Sequence, residues 1–260
     1  MNLNARLVCV CCLWLAGCAT VPKVPSAIPP ATKLYPPIGT SIQRIVVDAG
    51  HGGQDPGTMH FGLQEKHLNL DIARRLQAEL QSSGWTVVLT RDRDEFIELS
   101  RRARIANRLP ADVFVSIHVN ANRRQNVDGV EVYYPRESVV EMRTSLPPRV
   151  QPEEVASTSM SVRHALWDLV LSQTRRQSAV MAQHVCRALQ NRLHVRCRGV
   201  HGARFVVLRE AWTPAILVEA GYVSNREEAS HLATADYRQA IAEAIAEGLV
   251  SYAQATLRES

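Results

Sequence analysis

Three short apolar runs separated by helical patterns constrain the fold of this 260-residue chain more than any other feature. The runs are rich in β-branched residues, have the length of strands, and lie at 44–48, 85–90 and 112–117. Apolar residues recur at helical spacing in both intervals, at 68–80 and 96–108. The order strand, helix, strand, helix, strand predicts an α/β sheet covered by helices.

The rest of the chain extends this prediction to a single α/β domain. We expect a sheet of roughly six strands, mostly parallel or mixed, flanked by helices. The further strands are predicted at 130–134, 205–208 and 215–218, and the further helices at 161–174, 178–193 and about 237–257.

Four side chains stand out because of where they fall in this pattern. His51, His118 and Glu219 each lie at or just past the end of a predicted strand, and Glu65 lies in the first turn of a predicted helix. Ligands of open α/β sheets collect outside the carboxyl ends of the strands, so we expect the four to be neighbours. Two neutral imidazoles and a carboxylate leave one zinc position open for water, and a further glutamate can move the proton. This set is typical of a hydrolase.

Each of these residues also has an ordinary structural interpretation. His51 can be a solvent-facing residue of a glycine turn, and His118 a hydrogen-bonded residue at a sheet edge. Glu219 is the strongest single signal, because a carboxylate after an apolar strand is nearly buried, and buried glutamates are rare unless paired, metal-bound or catalytic. Three further histidines are interpreted as bystanders or substrate contacts: His60, His67 and His201.

Several longer motifs occur in order between residues 42 and 255. They are Asp-Ala-Gly-His-Gly-Gly-Gln-Asp-Pro-Gly at 48–57, Glu-Lys at 65–66, Ser-Ile-His-Val-Asn-Ala at 116–121, Arg-Gly-Val at 198–200, Phe-Val-Val-Leu at 205–208 and Leu-Val-Glu-Ala-Gly-Tyr-Val-Ser-Asn at 217–225. Together they resemble the zinc-dependent N-acetylmuramoyl-L-alanine amidases, which act on peptidoglycan.

The resemblance implies a role for each matching residue. His51, Glu65 and His118 would ligate zinc, and Glu219 would be the catalytic glutamate. The bond cleaved would join the lactyl group of N-acetylmuramic acid to L-alanine of the stem peptide, in cell-wall remodelling or daughter-cell separation. Two alternatives stay open: a non-catalytic wall-binding or activator module, and a zinc peptidase that cuts within the stem peptide.

The amino-terminal segment predicts export. Residues 1–17 have one positive charge and an apolar run, which is typical of a secretory signal and too short for the about 20 residues of a membrane span. Leu-Ala-Gly-Cys at 15–18 resembles the bacterial lipobox, with Cys18 lipidated after cleavage. Ala19 follows the cysteine where the inner-membrane retention signal would place Asp, so the resemblance implies the periplasmic face of the outer membrane in a two-membrane bacterium. An ordinary cleaved signal or a retained anchor is the alternative.

Domain organisation follows from this and from composition. Residues 18–40 would form a lipidated, proline-rich tether, and 41–258 the catalytic domain. Cys186 and Cys197 form either a disulfide or two buried thiols. With a net charge of +5 dispersed along the chain and no nucleic-acid motif, the expected partners are peptidoglycan and the membrane that holds the lipid anchor.

Residues 136–176 depart from the simplest members of the family that the chain resembles. Division amidases of that family have an inserted helix here, which covers the zinc until an activator protein displaces it. The resemblance implies a regulatory insert, with Glu153 or Glu154 able to reach the metal. The alternative is a surface segment that has no regulatory role.

Overall fold

The computed structural model describes residues 42–109, 111–136 and 160–259. The predicted signal segment, the tether and much of the predicted insert lie outside these ranges, and so do Cys18, Glu153 and Glu154. Within the described ranges, no helix combines the length and the hydropathy that a membrane span requires.

The described residues form eight strands and six helices. The strands are β1 Arg44–Ala49, β2 Met59–His60, β3 Leu63–Gln64, β4 Thr86–Leu89, β5 Val113–Asn120, β6 Val130–Pro135, β7 Cys197–Ala203 and β8 Ala215–Tyr222. The helices are α1 Glu65–Ser82, α2 Leu99–Arg108, α3 Met160–Leu193, α4 Val206–Arg209, α5 Arg226–Leu232 and α6 Ala235–Glu259.

Six of the strands form one mixed sheet in the order β4-β1-β5-β8-β6-β7. All neighbours are parallel except β6 and β8, which are antiparallel. The remaining two, β2 and β3, pair as a small hairpin that leads into α1. The predicted α/β class and the number of strands are confirmed. Strand β8 lies between β5 and β6, although it comes last in the chain.

Helices cover both faces of this sheet. On one face α1, α3 and α6 pack over a large apolar cluster that includes Ile45, Ile117 and Ile245, all with no exposed surface. On the other face α2 and the single-turn α4 pack over a smaller cluster around Phe114 and Leu208. Apolar burial of this extent is the main force that holds such a domain together.

The predicted strand at 205–208 is wrong, because this segment begins the short helix α4. Four consecutive apolar residues fit either element, and here they cover the sheet with Val207 and Leu208 instead of extending it. The actual sixth strand is β7, which the sequence analysis missed. Its sequence, Cys-Arg-Gly-Val-His-Gly-Ala, has too few apolar residues to show strand alternation.

The two helices predicted at 161–174 and 178–193 form one continuous helix, α3. No proline or glycine interrupts the intervening residues, and Ser178 Oγ donates a hydrogen bond back to Thr174 O at 2.7 Å. Cys186 of α3 and Cys197 of β7 form a disulfide with Cα atoms 5.9 Å apart. The disulfide therefore links the long helix to the edge strand of the sheet.

Candidate active site

Three of the four residues singled out by the sequence lie together at the carboxyl ends of β1 and β5. His51 follows β1, Glu65 begins α1 and His118 belongs to β5. Glu65 Oε1 lies 3.2 Å from His51 Nε2 and 2.9 Å from His118 Nδ1. One ligand atom from each residue lies within 4.8 Å of the other two, so the three side chains could hold a metal ion together. We call His51, Glu65 and His118 the donor trio. Two imidazoles and one carboxylate fit zinc and leave a fourth position open.

Glycines make the close approach of these side chains feasible. A Cβ atom on Gly50 would lie 2.3 Å from the ring of His118, and one on Gly57 would lie 2.5 Å from Glu65 Oε2. His51 itself has a φ of 60°, a conformation that is uncommon for residues other than glycine. The glycine-rich turn is therefore required by the packing of the donor trio.

Hydrogen bonds also fix the Glu65 carboxylate. The amide nitrogen of Thr58 donates to its Oε2 at 2.9 Å, and the side chain of Asn69 donates to its Oε1 at 3.2 Å. Burial raises the pKa of Glu65, but the hydrogen bonds and charges of His118 and His51 outweigh burial and hold the pKa well below its usual range. Glu65 is therefore an anchored, ionised carboxylate.

His51 is oriented by a residue that the sequence analysis did not single out. Its Nδ1 lies 2.7 Å from Asp55 Oδ2, which leaves Nε2 directed at Glu65. Burial lowers the pKa of His51, but hydrogen bonds and charges from Glu65 and then Asp55 raise it to about 9. The two carboxylates therefore make the local potential negative, which also favours a metal cation, and His51 would give up its proton on ligating one.

A buried ion pair between Asp48 and Arg102 fixes the turn that contains His51. Asp48, fully buried in β1, accepts hydrogen bonds from Arg102 Nη1 at 2.9 Å, Thr90 Oγ1 at 2.6 Å and Ser116 Oγ at 2.7 Å. The Arg102 guanidinium also donates to the carbonyl oxygen of His51 at 2.7 Å. Burial raises the pKa of Asp48, but Arg102 and the two hydroxyls lower it below the ordinary value. The turn that holds His51 is thus fixed by a charged network.

Glu219 lies beside the donor trio on the next strand. The register of β8 places it opposite His118, so both side chains project from the same face of the sheet. Its Oε2 atom is buried and has no hydrogen-bond partner among the described residues. Burial, followed by the charges of Glu65 and Glu131 against those of the two histidines, raises the pKa of Glu219 to about 7. A carboxyl group with this pKa can exchange a proton near neutral pH.

The other histidines are separate from this group. His67 is exposed on α1, His60 lies in the hairpin, and the ring of His201 is 5.6 Å from the ring of Tyr133. The described residues contain one group of His, Cys, Asp or Glu side chains that could hold a metal, and none of these three belongs to it. Their interpretation as bystanders or substrate contacts stays a prediction.

The fold and the site define a hydrolytic α/β enzyme. The sequence pattern of the N-acetylmuramoyl-L-alanine amidase family matches residues 45–251. The N-acetylmuramoyl-L-alanine amidase AmiA of Escherichia coli is 35% identical to this chain over 217 residues, which cover 80% of this chain and 75% of AmiA. The amidase AmiC2 of Nostoc punctiforme superimposes with a TM-score of 0.65 and 35% identity over 83% of this chain and 99% of AmiC2.

A third similar structure is the CwlD amidase from Clostridioides difficile in complex with the GerS lipoprotein, with 25% identity and a TM-score of 0.65 over 82% of this chain and 99% of CwlD. The chain belongs to the N-acetylmuramoyl-L-alanine amidase family. It acts on peptidoglycan and hydrolyses the amide between N-acetylmuramic acid and L-alanine. This assignment favours the amidase over the wall-binding module and the stem-peptide peptidase.

Proposed function

We propose that the amidase is zinc-dependent, with His51, Glu65 and His118 as the zinc ligands and Glu219 as the catalytic glutamate. The observation that carries the proposal is the buried Oε2 atom of Glu219, which lies beside the donor trio and has no hydrogen-bond partner in the part of the chain that the structure describes. Bound zinc lowers the pKa of a water molecule to about 7 and polarises a carbonyl oxygen. An oxygen atom without a partner at this point is placed to accept a proton from such a water.

In this proposal Glu219 moves one proton. It accepts the proton from the attacking water and delivers it to the nitrogen of the leaving L-alanine. Its pKa of about 7 favours both steps, since the group is neither a strong acid nor a strong base at neutral pH. Asp55 holds the His51 ring with Nε2 towards Glu65, and Asp48 with Arg102 holds the turn that contains His51.

The test combines product identification with metal analysis. Peptides released from purified peptidoglycan would be identified by mass spectrometry, with zinc supplied and with a chelator in parallel. Stem peptides that begin at L-alanine and appear only with zinc support the proposal. The zinc content of the purified protein and of His118→Ala is measured separately by elemental analysis. A fully metallated His118→Ala variant would remove His118 from the ligand set.

We also propose that the chain is exported and lipidated at Cys18, with residues 1–17 as the signal, 18–40 as the tether, and the periplasmic face of the outer membrane as its location. The disulfide between Cys186 and Cys197 supports export, because disulfides persist mainly in oxidising compartments. Expression with a radiolabelled fatty acid tests the anchor. Label in the wild type but not in Cys18→Ala is expected, and equal label in both contradicts it.

A regulatory role for residues 136–176 is a third proposal. The CwlD complex supports it in one respect, because that similar amidase associates with a second protein. In this chain the insert directly follows β6, the strand that contains Glu131 and Tyr133, and its residues 160–176 belong to the long helix α3. An activator that displaces the insert would connect the enzyme to daughter-cell separation. Deleting residues 136–159 should raise the basal rate, and a folded deletion variant with an unchanged rate contradicts the proposal.

A further inference from the structure

A second carboxylate lies beside Glu219, on the side away from the donor trio. Glu131 of β6 is directly opposite Glu219 of β8, which is in turn opposite His118 of β5. Directly opposed residues of antiparallel strands project from one face with Cβ atoms about 5 Å apart. His118, Glu219 and Glu131 therefore form one row across three neighbouring strands.

The side chain of Glu131 is held in one position. Its Oε2 accepts a hydrogen bond from the hydroxyl of Tyr133 at 2.7 Å and lies 3.5 Å from Asn120 Nδ2. Its Oε1 lies 3.6 Å from Arg198 Nε. The side chain retains 13% of its accessible surface, so it is not fully enclosed by the protein. Glu131 is thus a fixed acidic group at the edge of the reaction centre.

The chemistry of amide hydrolysis creates a need for such a group. The oxygen of water adds to the carbonyl carbon, the carbon–nitrogen bond breaks, and both protons of the water pass to the nitrogen, one of them through Glu219. The products are a carboxylate and a protonated amine. An α-amino group has a pKa of about 8, so the leaving L-alanine carries a positive charge at neutral pH. That charge develops on the nitrogen that Glu219 protonates. A fixed carboxylate next to Glu219 would stabilise it.

We propose that Glu131 binds the α-amino group of L-alanine as it leaves, and that the site consequently recognises peptides with a free amino terminus. The proposal rests on the proposed role of Glu219, because the position of the leaving nitrogen follows from that role. Tyr133 acts as a positioning residue, since its hydroxyl orients the Glu131 carboxylate. A purely structural Glu131 would stabilise β6 without any preference for a charged amine.

The test measures binding without turnover. The stem peptide released from peptidoglycan, with its free amino group, is titrated into the purified full-length protein by calorimetry, and so is the same peptide acetylated at that group. Glu131→Gln should weaken binding of the free-amine peptide about tenfold, which corresponds to one charge-assisted hydrogen bond, and leave binding of the acetylated peptide unchanged. Tyr133→Phe should weaken binding of the free-amine peptide by a smaller factor.

Asp128→Asn is the matched control, because Asp128 also faces Arg198, at 3.9 Å, but lies before β6 and is 63% exposed. It should bind both peptides as the wild type does. Equal losses of binding for both peptides in Glu131→Gln would assign Glu131 a structural role and overturn the proposal. The proposal would also be overturned if Glu131→Gln lost no affinity, or if the wild type did not bind the free-amine peptide. Because binding is read without hydrolysis, these results stay separate from the zinc and product tests above.

Discussion

Two buried carboxylates support the two halves of the site, and their surroundings differ. Asp48 supports the half with the donor trio and is neutralised by Arg102, so its pKa is lowered. Glu228 supports the half with Glu219: its two oxygens accept hydrogen bonds from the amide nitrogens of Gly129, before β6, at 2.7 Å and Tyr222, at the end of β8, at 2.6 Å. Burial raises the pKa of Glu228 to about 7, although these two hydrogen bonds act to lower it.

The difference matches the tasks of the two halves. The donor trio must keep a fixed geometry, and an ion pair with hydrogen bonds to backbone carbonyls fixes it strongly. The half with Glu219 must keep one oxygen available for proton transfer, and there the support comes from one main-chain amide just before β6 and one at the end of the neighbouring strand β8. The following predictions test this contrast, from the largest expected effect to the smallest.

Arg102→Met should break the half with the donor trio. It leaves Asp48 buried without its charged partner, and loss of such a partner costs about 3–5 kcal/mol of unfolding free energy. We expect the upper end of this range, because Arg102 also donates to the carbonyl oxygen of His51. Denaturant unfolding measures the change. A loss below about 1 kcal/mol would mean that the ion pair does not anchor this half.

Glu219→Gln should abolish most hydrolysis without loosening the fold. Removing a general acid–base group typically lowers the rate about 10²–10⁴-fold. The amide of glutamine fills the same space, so we expect zinc content and the unfolding midpoint to stay close to those of the wild type. Peptide release and elemental analysis on the same preparation distinguish these effects. A variant with nearly full rate would exclude Glu219 from the mechanism.

Asp55→Asn should weaken the metal site by a smaller amount. Partners that orient a ligating histidine typically contribute about 10–100-fold in metal affinity. Competition with a zinc chelator measures this loss directly, and excess zinc should restore most of the activity. Asp94→Asn is the control. Asp94 accepts a hydrogen bond at 2.7 Å from the amide nitrogen of Gly53, which lies in the same turn as His51, but Asp94 contacts neither His51 nor His118. Equal losses in both variants would point to loosening of the turn instead.

The pH dependence of stability should separate the two supporting carboxylates. The pKa of Asp48 is lowered from 3.8, so its contribution is present above that pH and is lost as pH falls below it. The pKa of Glu228 is raised from 4.5 to about 7, so the folded state loses stability as pH rises through this interval. Glu228→Gln should remove a slope of at most about 1.4 kcal/mol per pH unit there. An unchanged slope would exclude Glu228 as its source.

Much of the fold followed from the sequence because the central strands are nearly continuous apolar runs. Strands β1, β5 and β8 are buried on both faces, and α1 repeats its apolar residues at helical spacing. Edge strand β7 lacks such a run, since a strand paired on one side needs fewer apolar residues. Without tertiary context, the four apolar residues at 205–208 could not be assigned to a strand or a helix.

For the site, the sequence indicated the residues with their own strong signal and missed those that act through others. His51, Glu65, His118 and Glu219 stand at strand ends or a helix start, where spatial proximity can be predicted. Asp55 and Glu131 gave weaker signals: a carboxylate four residues after a histidine in a glycine turn, and a charge between two valines of a strand. Their partners depend on turn geometry and on the register of β6 against β8, which spacing alone does not determine.

The position of β8 links the closure of the sheet to the assembly of the proposed catalytic row. This strand is the last of the eight to be synthesised, yet it must enter between β5 and β6, which precede it in the chain. Until it does, Glu219 is absent from the row and His118 and Glu131 are not joined through it. Closure of the sheet and completion of the proposed catalytic row are therefore the same event, because the strand that joins β5 to β6 also contributes Glu219.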